Sequence, residues 1–110
     1  MMKLAMSPAA AGLLRALLAR AGIDRDRILL TEFRSTDWQS LTFAGERHRI
    51  DLRIPGPNAA AVAQILTRDL GDAEFDVAGQ IVADIAVEGA MIQHPDGAIS
   101  LTIEALTVAE

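Results

Sequence analysis

Apolar positions in this chain change period several times, and each change marks an element. Leu13, Leu14, Leu17, Leu18 and Ala21 recur at helical spacing. Ser7 before Pro8 offers an N-cap with proline in the first turn, and Gly22 offers a stop, so the pattern predicts a helix over 8–21. A second stripe, Ala59, Val62, Ala63, Leu66 and Leu70, predicts a helix over 58–70 that ends at Gly71. Laid over each other, SPAAAGLLRALLARAG and GPNAAAVAQILTRDLG look alike, and strands follow each. That likeness suggests a degenerate duplication within one domain of 1–110, with copies at 7–54 and 56–108.

Elsewhere the period is two. Residues 28–35 read as a first strand and Thr36-Asp37 as a turn. Residues 38–54 then read as a hairpin about Gly45-Glu46, with glycine first in a type II′ loop. That loop would pair Phe43 with His48, Thr42 with Arg49, Leu41 with Ile50 and Trp38 with Arg53. One face would hold Leu41, Phe43, His48, Ile50, Leu52 and Ile54; the other would hold Trp38, Arg47, Arg49, Asp51 and Arg53. Two further strands are expected over 80–93 and 98–108, joined by His94-Pro95-Asp96-Gly97, whose residues suit a type I turn with a left-handed glycine. In that register Ile92 faces Ser100 and Glu88 faces Glu104. Phe75, in an acidic linker, is expected to plug the core.

The predicted order is α-β-β-β-α-β-β. Such a chain folds as an α+β two-layer sandwich, with an antiparallel five-stranded sheet and two helices on one face. Composition sharpens this picture. Half of the 110 residues are hydrophobic (51%) but only 4% are aromatic, so the core is aliphatic. With no cysteine, the chain has no disulfide and no thiolate chemistry. The segment over 1–22 resembles a leader, but Pro8, Arg15 and Arg20 interrupt its apolar run, and a cytoplasmic protein without a membrane span is expected.

Charge divides along the chain. Residues 1–55 carry nine Lys or Arg against six acids, and residues 56–110 carry one Arg against nine, so a half at +3 adjoins a half at −8. Such asymmetry suggests complementary surfaces, within the fold or between copies of it. The acidic half argues against a nucleic-acid partner.

Three constellations carry possible chemistry. Arg47, Arg49 and Arg53 beside Trp38 have the makings of an anion or nucleic-acid platform; the plainer expectation is a solvated face with Trp38 lying over Arg53. Glu88 opposite Glu104 would resemble a general acid/base pair. His48 is expected at the core edge and His94 in an exposed turn, and the two do not make a metal site. Neither a phosphate loop nor a nucleophile elbow is present, and no cofactor is expected. Trp38, Ala86, Ala90, Ile92, Leu106 and Val108 all fall on the face away from the helices, and apolar residues there mark an interaction surface. The sequence therefore points to a small binding module that self-associates as a dimer through its sheet and takes a protein or small anionic ligand. The alternatives are an enzyme using Glu88 and Glu104 on an anionic substrate and a nucleic-acid accessory protein working through Arg47, Arg49 and Arg53.

Overall fold

A computed structural model describes residues 6–110. The leader-like pattern over 1–22 therefore lies partly outside the described residues. Helix α1 is Pro8–Ala21, as its caps predict. The Ser7 hydroxyl accepts from the Ala10 amide at 3.1 Å. Gly22 closes the helix at φ 65°, and the Gly22 and Ile23 amides satisfy the Ala19 and Leu18 carbonyls. Helix α2 is shorter than predicted, Ala59–Thr67. The Thr67 hydroxyl turns back to the Ala63 carbonyl at 2.8 Å, and Asp69 then takes a left-handed conformation, so the chain leaves the helix before Gly71. Arg20 of α1 donates to the carbonyls of Leu66 and Arg68, closing the end of α2 and tying the helices together.

The sheet has four strands rather than five: β1 (Leu29–Gln39), β2 (Ala44–Ile54), β3 (Gln80–Gln93) and β4 (Ile99–Ala109), ordered β1-β2-β4-β3 and antiparallel throughout. The difference lies in the first hairpin. Its turn is Ser40–Phe43, not Gly45-Glu46: the Ser40 amide donates to the Phe43 carbonyl (2.9 Å), and the Ser40 hydroxyl accepts from the Phe43 amide (3.1 Å). A serine closing its own turn replaces the glycine loop. Thr36 and Asp37, expected to turn, continue β1, and two predicted strands merge into one. Every predicted pair in this hairpin is replaced: Trp38 lies opposite Gly45, Ser35 opposite His48, Phe33 opposite Ile50 and Leu29 opposite Arg53. Leu41 and Phe43, expected in the core, are exposed at the tip.

The alternation within β2 survives. His48, Ile50, Leu52 and Ile54 are buried and pair with Ala105, Ile103, Leu101 and Ile99 of β4. These central strands meet Leu13, Leu17 and Leu18 of α1 and Ala59, Ala63 and Leu66 of α2 in one aliphatic core. Each buried Leu or Ile contributes about 1.5–3 kcal/mol before conformational entropy is counted. Phe75 packs against this core, half-buried. The second hairpin turns as predicted, with Gly97 left-handed at φ 88° and the His94 amide bonded to the Ala98 carbonyl at 2.8 Å. Among the described residues, no helix is long and apolar enough to cross a membrane.

Candidate functional site

Both helices cover one face of the sheet, and the register gives the composition of the other. Reading across β1, β2, β4 and β3, its rows are Leu29–Arg53–Ser100–Ile92, then Glu32–Asp51–Thr102–Glu88, then Arg34–Arg49–Glu104–Ala86. Thr36–Arg47–Leu106–Asp84 and Trp38–Gly45–Val108–Ile81 complete it. All six residues singled out from the sequence (Trp38, Arg47, Arg49, Arg53, Glu88 and Glu104) therefore share this outer face, but not in the groupings expected.

Trp38 and Arg53 stand at opposite ends, so no cation–π pair joins them. Arg53 instead reaches the hairpin loop, where its Nη2 meets Asp96 Oδ2 at 2.7 Å. The Ala98 amide, assisted by Arg53, holds the Asp96 carboxyl below the usual range. Arg53 is thus engaged away from the other arginines. Glu88 lies opposite Thr102, and Glu104 opposite Ala86. The cause is an irregularity around Gly89, which is left-handed at φ 66°: from Glu88 to Ile92 the chain advances four residues while β4 advances two. Parity is kept but the register slides, so the two carboxylates are diagonal neighbours rather than the opposed pair an acid/base role would need. Leu106 and Val108 fall on the outer face as expected, yet both are buried within the chain.

One residue missed from the sequence completes the arginine group. Arg34 of β1 is the direct cross-strand partner of Arg49. Like charges placed opposite each other destabilise a ladder. Arg34, Thr36, Arg47, Arg49 and Glu104 line a cleft of about 190 Å³, with His48 and Ala105 behind them. Arg49 is held loosely by Asp51 (3.7 Å) and Glu104 (3.8 Å). Among the described residues, no carboxylate lies within 4.0 Å of Arg34 or Arg47. Only the true hairpin register reveals the opposition of Arg34 and Arg49.

A second polar group sits beneath this cleft, on the helix face. His48 Nδ1 is 2.8 Å from Ser35 Oγ, and its Nε2 is 2.8 Å from Thr107 Oγ1. His48 and Thr107 are buried. A neutral imidazole donates through one nitrogen and accepts through the other, so it can satisfy both hydroxyls. Burial pushes the His48 pKa down, and the nearby Glu46 charge opposes it. Glu46 itself accepts from the Ser7 hydroxyl at 2.9 Å. His94, expected to be exposed, is partly covered, with Nε2 2.7 Å from Ser100 Oγ.

A wider groove of about 580 Å³ runs between α2 and the end of β3, lined by Ala60, Ala63, Gln64, Thr67, Met91, Gln93 and Ile99, without an ionisable side chain. Among the described residues, no three His, Asp or Glu side chains are placed to share a metal ion. Comparison with known proteins finds no matching family model, curated protein or solved structure.

Proposed function

We propose that this protein is an interaction module whose working surface is the outer face of its sheet, and that two copies associate through it. The division of charge on that face carries the reading. The β1–β2 half presents four arginines against Glu32 and Asp51, whereas the β4–β3 half presents Asp84, Glu88 and Glu104 with no base. A two-fold axis parallel to the strands, midway between β2 and β4, lays the basic half of each copy over the acidic half of the other. It also sets Trp38 over Ile81 and Leu29 over Ile92, at the cost of one like pair, Glu32 over Glu88. An axis across the strands would set Arg34, Arg49 and Glu104 each over its own copy, so charge selects the first arrangement.

Four strands about 4.8 Å apart and roughly ten residues long offer about 600 Å² per copy, near the lower limit for a specific interface. Because Leu106 and Val108 are already covered, attraction falls to Trp38, Leu29, Ile81 and Ile92 at the ends and to charge in the middle. Charged centres are costly to desolvate, so the association is weak and salt-sensitive. The strand order reads the same when the two α-β-β halves are exchanged, which supports a duplication of 7–54 and 56–108. Sedimentation at tens of micromolar and low salt should give twice 11.7 kDa, falling to one chain in high salt and in Trp38→Ser. A single-chain mass at low salt and high concentration would refute self-association.

A further inference from the structure

We infer that the cleft between Arg34, Thr36, Arg47 and Arg49 binds a small tetrahedral dianion of the phosphate-monoester type. This rests on the outer face being the working surface, but not on self-association. Two observations are left unexplained by the fold alone. Arg34 and Arg49 oppose each other directly across β1 and β2, a placement that weakens a ladder unless an anion sits between the charges. Next along the same strands, Thr36 opposes Arg47, adding a hydroxyl and a third guanidinium to the same cleft.

The geometry selects the class of anion. A lone carboxylate is planar and is satisfied by one guanidinium fork. Guanidinium groups arriving from two strands and two successive rows suit an anion with oxygens on several sides, which is the form of a terminal phosphate. Glu104 also lines the cleft, 3.8 Å from Arg49, and Asp51 stands 3.7 Å from Arg49 on the next row. These carboxylates hold Arg49 loosely in the free protein, and an incoming dianion draws Arg49 toward Arg34. They also set a lower bound on the ligand's charge, since a monoanion gains little over the internal carboxylates already present.

In the proposed dimer the partner's acidic half covers this cleft, so a phosphate monoester and a second copy compete for it. The ligand then acts as a dissociating effector, with reciprocal coupling between the two binding events.

The chain's one tryptophan, Trp38, lies two residues along β1 from Thr36 and provides a built-in probe. Glycerol 3-phosphate is titrated at pH 7.5 and constant ionic strength, followed by Trp38 fluorescence and by the arginine Nε–H resonances. Inorganic phosphate, dimethyl phosphate and acetate form parallel arms. The expected result is saturable binding of the monoester and of inorganic phosphate, with shifts confined to Arg34, Arg47 and Arg49. Dimethyl phosphate and acetate should bind at least about tenfold more weakly, and Arg34→Gln or Arg47→Gln should each weaken monoester binding by about tenfold. Arg25→Gln, in the groove beside α1, should bind as the parent does. The inference is overturned by the absence of saturation, by equal shifts at Arg25 and Arg53, by equal binding of the diester or of acetate, or by unchanged affinity in Arg34→Gln. Sedimentation with and without the monoester separates the two proposals. A protein that is always one chain but binds phosphate keeps the site and loses the dimer, and a dimer indifferent to phosphate with no saturation does the reverse.

Discussion

Gly45→Val should destabilise the protein by about 3 kcal/mol and lower its melting temperature by on the order of 15 °C. The cause is close approach. A Cβ at Gly45 would meet the Thr107 carbonyl oxygen well inside van der Waals contact, with the Thr107 carbonyl carbon at 2.9 Å and Val108 Cα at 3.0 Å. All three atoms belong to the backbone of the central strand β4, so no flexible side chain can give way. Gly45→Ala should suffer most of the same loss, because the first carbon makes the collision. Gly22 supplies the contrast: a Cβ there meets nothing, and its substitution costs only the left-handed strain of φ 65°, about 1 kcal/mol. Thermal melts of the three variants test this order. A Gly45→Val protein that melts with the parent would mean that β2 and β4 do not approach as described.

His48→Leu should cost about 1–3 kcal/mol, although the sequence alone suggests that leucine would be welcome on a core face. Leucine removes both partners at once, leaving the Thr107 hydroxyl with nothing to bond and the Ser35 hydroxyl without its buried neighbour. Thr107→Val on top of His48→Leu should therefore cost less than the sum of the single changes, since it deletes the orphaned hydroxyl. Strict additivity in urea melts would show that the two side chains do not interact. The same group gives stability a pH dependence. Because burial lowers the folded pKa of His48, the unfolded chain takes up the proton first. Its contribution is complete above about pH 6.5 and is lost as pH falls through the lower folded value. Urea midpoints should drop between pH 7.5 and 5.5 in the parent, and the drop should shrink in His48→Leu.

These residues show where the sequence was legible. Helix α1 and strand β3 carry their boundaries in local chemistry: a serine-proline cap, a left-handed glycine, and a proline-aspartate-glycine turn. The first hairpin does not. Glycine satisfies two different demands, a positive φ and a close backbone neighbour, and a sequence does not distinguish them. Gly45 has no positive φ; it is there for Thr107. A turn at Gly45 would shift the hairpin by several residues, part Arg34 from Arg49 and set Trp38 opposite Arg53, whereas the true pairs are Arg34 with Arg49 and Trp38 with Gly45. The shared face of Arg47, Arg49 and Arg53 is legible because it depends only on alternation within β2. In the last hairpin the extra residues around Gly89 preserve that alternation while sliding Glu88 past Glu104, so the face was readable and the pairing was not.

The claim that unlike halves of the outer face meet across a two-fold axis is tested most directly by reversing each half separately. One variant carries Arg34→Glu and Arg47→Glu, and the other carries Asp84→Arg and Glu88→Arg; all four positions are exposed, so the fold should persist. In the first variant both halves are acidic and in the second both are basic, so each alone should sediment as a single chain of 11.7 kDa. Mixed in equal amounts at low salt, they meet acid to base at both contacts and should sediment at twice that mass. A mixture that stays at the mass of one chain, or a reversed variant that pairs with itself as readily as the parent, would contradict the account.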